Sequence, residues 1–248
     1  LALIIGALLG SMMSVIIARW PRLEGFATGR SRCPHCMHVL SWRDLVPVMS
    51  WLFSGGACRY CKAPISLRYP AYEVVMALVF GLYAYTHGVP SPWVLLEYAV
   101  LFGLVMLFFF DLYERILPDV VVASLGAVVL VRLVAYRPDQ LVNAGAMALG
   151  LGAFFGLLYA VSQGRWLGMG DVKFAPVVGL LFGFPIAIGV TVLSVWLGAL
   201  VGIGLIITKR AHLGSELPFG SFWTAVCVMV LIAPGPAAFL AGLITPVF

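Results

Sequence analysis

The sequence predicts an all-α, polytopic helical membrane protein with about eight transmembrane helices and a small cytoplasmic zinc-ribbon-like loop domain. Three observations carry that expectation. Apolar residues make up 62% of the chain and charged residues 10%, against about 25% charged in a soluble domain. Apolar runs of roughly 17–25 residues recur, each long enough to cross about 30 Å of hydrocarbon. The one large hydrophilic stretch, residues 19–71, carries two Cys-x-x-Cys pairs. Continuous apolar runs also exclude a β-barrel, whose strands would alternate.

Spans are expected at 1–18, 72–87, 93–112, 119–136, 141–162, 171–184, 186–208 and 219–246. Helix-stop chemistry separates them: Gly88 and Pro90, Pro118, Pro138, and the stretch from Gly214 to Pro218. The first run lacks a basic n-region and a small-residue cleavage site, so it reads as a span rather than a signal peptide. The run 173–208 is long for one span, and Gly183-Phe184-Pro185 near its middle implies two short helices and a tight turn. Three segments follow: a first span at 1–18, a cytoplasmic four-cysteine loop at 19–71, and a membrane domain at 72–248.

Lys and Arg set the orientation. With loop 19–71 in the cytoplasm, alternation places thirteen of the fifteen basic residues on that side, leaving only Arg132 and Arg137 outside. The net charge of +5 is therefore topological and does not signal nucleic acid. Alternation also brings Asp111, which ends the third span, and Asp171, which opens the sixth, to the same face. They meet if those two spans pack together.

Cys33-Pro-His-Cys36 and Cys58-Arg-Tyr-Cys61 suit tetrahedral thiolate coordination of structural Zn²⁺. A redox pair or an iron–sulfur site is the alternative. Four thiolates leave a metal no open position for catalysis. His35 and His38 read as solvated loop residues, and Cys227 as a small buried apolar side chain.

An ionisable residue at the hydrocarbon edge is a functional-site hypothesis by default. Asp119, after Pro118, reads as a helix N-terminal carboxylate. Glu114 reads as facing water and Glu97 as interfacial. Asp171 differs, because Gly168 and Gly170 strip side chains from around it and let another backbone approach. That is either a helix cap or half of an aspartyl-protease pair. Two close carboxylates share one proton. The ionised member would take a proton from water and the protonated one would polarise a scissile carbonyl. No His-Glu-x-x-His signature competes.

These residues resemble the type IV prepilin peptidase family, bacterial inner-membrane aspartyl proteases of the Gly-x-Gly-Asp group. The likeness runs in order along the chain through Gly10-Ser11, Ser31 to Cys36, Trp42 to Pro47, Ser50-Trp51-Leu52, Cys58 to Cys61, Arg68 to Glu73, Asp111 to Asp119, Gly168 to Lys173, and Leu217-Pro218-Phe219-Gly220. It departs from the family at Met12 and Ser14, where Phe and Asn are usual. The resemblance implies cleavage of prepilin or pseudopilin leaders at the cytoplasmic face, with Asp111 and Asp171 catalytic. Gly168, Gly170 and Lys173 would then lie in the active-site loop. It also implies N-methylation of the new N-terminus from S-adenosylmethionine, associated with the cysteine loop. Glu73 is either a methyltransferase residue or a structural partner of Arg68. The partners implied are the pilin-type substrate and the lipid bilayer; the oligomeric state is not legible. The rival reading is a transporter whose intramembrane aspartates relay protons or cations.

Overall fold

The computed structural model describes residues 1–20, 29–88, 94–212 and 217–233, together with 235 and 242. Arg22, Glu24, Glu216 and most of 234–246 lie outside the described residues. Helices occupy all eight intervals in which spans are expected. Among the described residues, five helices are long and apolar enough to cross a membrane, and there is no strand beyond two isolated bridges. The chain forms two compact units, Leu1–Gly88 and Val89–Phe248.

The first unit comprises α1 (Ala2–Arg19), the cysteine loop with the short α2 (Met49–Phe53), and α3 (Arg68–His87). It thus takes in α3, beyond residue 71. Gly6 and Gly10 lie four residues apart on one face of α1. A methyl at Gly6 would stand 2.6 Å from the Met76 carbonyl oxygen, and one at Gly10 would stand 2.6 Å from that of Tyr72. Two small residues one turn apart are what let helix backbones touch in lipid, where no hydrophobic effect drives them together. Gly10→Leu is therefore expected to pry α1 from α3, at a cost of about 1–3 kcal/mol or more. A lower melting temperature in detergent and faster proteolysis of loop 19–71 would report it.

The second unit contains α4 (Val94–Glu114), α5 (Asp119–Tyr136), α6 (Leu141–Ser162), α7 (Met169–Phe182), α8 (Ile186–Ile207) and α9 (Phe219–Ile232). Helix α4 packs on α5 and α9, α7 packs on α5 and α6, and α8 packs on α9. Close approach again relies on a small residue. A methyl at Gly179 of α7 would lie 2.5 Å from the Ala148 backbone of α6. Fully buried Trp223 of α9 packs against Phe155 and Phe174, clasping α6, α7 and α9.

Two polar clips sit at the end of the second unit opposite Asp111 and Asp171. Arg132 of α5 donates to Glu97 of α4 at 2.6 Å. This explains one exception to the charge rule, since Arg132 is neutralised locally instead of facing water. The turn between α7 and α8 has Gly183 at φ +64°. Its Phe184 amide donates to Asn143 Oδ1 at 2.7 Å, and Asn143 Nδ2 donates back to the Phe184 carbonyl at 3.1 Å.

Candidate functional site

Asp111 lies in the last turn of α4 and is 7% exposed; Asp171 lies in the first turn of α7 and is 8% exposed. Burying a carboxylate is costly unless donors meet it. At Asp111 the donors come from α9: the Ser221 amide, and the Ser221 hydroxyl at 2.9 Å, both to Oδ2. At Asp171 the Gly168 amide donates to Oδ2 at 3.2 Å, so the side chain caps its own helix. Gly170, the neighbour of Asp171, and Gly220, which lies against the Asp111 carboxyl, both press on the side chain of Leu117. Leu117 thus sets the two carboxyl groups at one end of the second unit.

How they come together differs from the expectation. Helices α4 and α7 make no extensive packing contact of their own among the described residues; α5 and α9 lie against both. The bridge is Leu117, between α4 and α5. A methyl at Gly170 would stand 2.9 Å from Leu117 Cβ, and one at Gly220 would stand 3.0 Å from Leu117 Cδ1. The same methyl at Gly220 would lie 3.1 Å from the Asp111 carboxyl carbon. Bare backbone at Gly170 and Gly220 is thus what lets α7 and α9 close on the end of α4. Lys173 Nζ meets both oxygens of Asp119 at 2.7 Å, tying the start of α7 to the start of α5. Both groups are largely open to solvent, so the pair adds little stability; it helps to fix the register of the two helix starts.

The cysteine loop forms a second centre. Each knuckle closes in the same way. The Cys33 amide donates to the His38 carbonyl and the Cys58 amide to that of Ala63, while Met37 and Lys62 both turn through positive φ, at 56° and 61°. These matched turns bring the Sγ atoms of Cys33, Cys36, Cys58 and Cys61 within 4.8 Å of one another. Cys33 and Cys61 lie 3.8 Å apart, the edge of a tetrahedron with Zn–S bonds of about 2.3 Å. Amides of Cys36 and His35 aim at the Cys33 sulfur and hold its thiol down to about 6. At Cys61 the Ala63 amide pulls the same way, but burial and the facing sulfurs prevail and push the thiol up to about 11. Four sulfurs this close ionise together only around a cation, so the donor set fits a metal.

Asp44 clips the loop across its middle. It accepts from the Ser41 amide at 3.0 Å, the Ser41 hydroxyl at 2.7 Å and the Tyr60 hydroxyl at 3.1 Å, and pairs with Arg59 at 3.3 Å. Burial alone would raise its carboxyl; these partners outweigh burial and hold it below the usual carboxylate range.

Within the first unit a cavity of about 440 Å³ lies between α1, the loop and α3, with Ser11, Ser14, Asp44, Trp51, Tyr60 and Glu73 on its wall. Glu73, 9% exposed, accepts the Val48 amide at 2.7 Å and a hydrogen bond from the Ser11 hydroxyl. Val48 has φ +63° and ψ −50°, and the Met49 amide donates to the Pro47 carbonyl across it. That is a strained γ-turn, stranger still for a β-branched residue. Glu73 holds its amide in place.

The fold defines an α-helical membrane protein with two buried carboxyl groups at one end of the second unit and a four-cysteine centre in the first. Residues 4–87 match the bacterial peptidase A24 N-terminal domain and residues 98–203 match the type IV leader peptidase family. The prepilin leader peptidase/N-methyltransferase of Aeromonas hydrophila is 34% identical over 78% of this chain and 68% of its own length. That of Stutzerimonas stutzeri is 30% identical over 89% of this chain and 86% of its own. The Bacillus subtilis protein of the same name is 30% identical over 87% and 86%. No solved structure matches. The chain belongs to the type IV prepilin leader peptidase/N-methyltransferase family.

Proposed function

We propose that this protein cleaves the leader from type IV prepilins or pseudopilins and N-methylates the residue that cleavage exposes. Its relatives carry both activities in their names. Nothing in the fold or among the relatives supports the transport alternative. Eight membrane passes, one for each long helix, with loop 19–71 and the aspartates facing the cytoplasm, follow from the basic residues. A bacterial inner-membrane location follows from the family and its bacterial relatives. Residues 89–248, the unit that holds both aspartates, would then form the peptidase domain, and 1–88 the first span, the methyltransferase-associated loop and α3 with Glu73.

Peptide cleavage is assigned to Asp111 and Asp171. The observation that carries it is their joint burial at one end of the second unit among the bare backbones of Gly170 and Gly220. One carboxylate removes a proton from water as the oxygen attacks the scissile carbonyl. The other, protonated, donates to the carbonyl oxygen. The C–N bond then breaks as the amine nitrogen takes up the proton. Gly168 leaves room for an extended peptide beside Asp171, Gly170 lets Leu117 pack against the first turn of α7, and Lys173 holds the start of that helix. A prepilin helix lying in the bilayer would present its leader junction at this depth.

Zn²⁺ on Cys33, Cys36, Cys58 and Cys61 would hold the loop together without taking part in chemistry. Methyl transfer is assigned to the cavity of the first unit. Its size lies within the ordinary ligand range of roughly 300–1,000 Å³. S-adenosylmethionine supplies an electrophilic methyl on a cationic sulfur. Trp51 and Tyr60 offer ring faces that attract such a cation, and Glu73 and Asp44 offer negative charge. Glu73→Gln keeps the hydrogen-bond acceptor but removes the charge. It is expected to slow methyl transfer by roughly tenfold or more while leader cleavage is unchanged. Mass spectrometry of one reaction, reading cleaved and methylated peptide separately, checks this; equal loss of both activities would remove the assignment.

A further inference from the structure

We infer that Ser221 is a positioning residue that keeps Asp111 the ionised member of the pair, leaving Asp171 to carry the shared proton. The inference rests on the dyad reading of Asp111 and Asp171 and assigns each its role.

Ser221 is the third residue of α9. Amides of a helix's first turn have no acceptor within the helix, and the helix end carries partial positive charge. The Ser221 amide spends its hydrogen on Asp111 Oδ2, and unlike a hydroxyl it cannot rotate away. The hydroxyl adds a second donor to the same oxygen at 2.9 Å, nearer than its other acceptor, the Phe108 carbonyl of α4 at 3.3 Å. An oxygen that accepts two donors has no place for a proton of its own and is best served by negative charge. Gly220 makes the approach possible, since a side chain there would meet the Asp111 carboxyl.

Asp171 is treated differently. Its Oδ2 accepts one amide, that of Gly168, at 3.2 Å. The other charges near the pair do not reverse this asymmetry. Arg115, the residue just past the end of α4, donates its amide to the Asp111 carbonyl at 3.0 Å, and a positive charge at this end of α4 favours an ionised Asp111. Lys173 of α7 is engaged by Asp119 of α5 at 2.7 Å. Asp111 therefore accepts the proton from the attacking water and passes it to the leaving amine as the C–N bond breaks. Asp171 donates its hydrogen to the scissile carbonyl oxygen and recovers it when the carbonyl re-forms.

The test is the pH profile of kcat/KM for cleavage of a synthetic prepilin peptide by the full chain in detergent. Wild type, Ser221→Ala and Ser221→Thr are compared. Methyl transfer to a pre-cleaved peptide serves as the check that each variant is folded. Ser221→Ala loses one of the two donors, so the acid limb is expected to move up by about one pH unit, with methyl transfer unchanged. Ser221→Thr restores the hydroxyl and returns the limb to its wild-type position. An acid limb that stays put in Ser221→Ala, or one that Ser221→Thr does not restore, overturns the inference. Asp111→Asn separates the two readings. If it is inactive while the Ser221→Ala limb is unmoved, the dyad stands and Ser221 loses its role. If it still cleaves, the dyad itself has failed.

Discussion

Replacing either Asp111 or Asp171 by alanine is expected to abolish leader cleavage while leaving methyl transfer to a pre-cleaved peptide intact. The pair acts as one acid/base unit, and positioned proton transfer contributes about 10²–10⁴-fold. Removing one member also strands the other without the partner that shares its proton, so each single change costs nearly the whole effect. The separation of activities follows from where the residues sit. Both aspartates belong to Val89–Phe248, whereas the cavity carrying Glu73 belongs wholly to Leu1–Gly88. A peptide assay with separate cleavage and methylation readouts decides it. Parallel loss of both activities in Asp111→Ala would point to a folding defect and sink the division of labour.

Cys33→Ser, or stripping the protein with a strong chelator, is expected to release bound metal and unfold loop 19–71. The four sulfurs are held by two matched knuckles and by little apolar packing, and among them Cys36 and Cys61 are exposed. In small zinc domains the metal contributes about 10–16 kcal/mol of folding free energy, far more than the Asp44 clip can replace. Elemental analysis should find one metal ion per chain in the wild type and a strong deficit in Cys33→Ser. Limited proteolysis should cut the variant within the loop. Cys227→Ser serves as the control, because that thiol is fully buried in α9 and remote from the cluster in sequence. A wild-type protein purified without metal, with its loop still protected, would contradict the ribbon.

The helical intervals were legible because hydrophobic length and Gly/Pro punctuation are local properties. The division of 173–208 is an example, since Gly183 and Pro185 mark the turn that separates α7 from α8. The four-cysteine centre was legible too, because ligand spacing within each knuckle is set by the turn itself. The aspartates could be placed at one end of the bundle from the polarity of their spans, but the manner of their meeting could not. Sequence reasoning needed the third and sixth spans to touch; instead α5, α9 and Leu117 bring their ends together. Helix neighbours in lipid are chosen by small residues on particular faces, and hydropathy does not see them. A signal was present: Gly6 and Gly10, one turn apart, mark the face of α1 that meets α3.

Ser221 was missed for a related reason. Its partner lies 110 residues away, and a serine after Pro-Phe-Gly at a helix start looks like an ordinary first-turn residue. Glu97 and Arg132 are both interfacial by position, and only packing of α4 on α5 makes them a pair. Glu73 stood out as an edge carboxylate, yet the strained turn it holds at Val48 has no sequence signature. Pro47 directly before it was the only hint of an irregular backbone.

The most direct measurement is the cleavage rate of a prepilin peptide by Asp111→Asn, Asp171→Asn and the double variant, followed by mass spectrometry to its detection floor. Asparagine keeps the shape of the carboxyl group but can neither ionise nor carry the shared proton. If the two aspartates act as one unit, all three variants should fall by about the same factor, on the order of 10³ or more. The double variant should then be no slower than either single one. Cleavage within about tenfold of wild type in either single variant, or losses that multiply in the double, would contradict a shared-proton dyad.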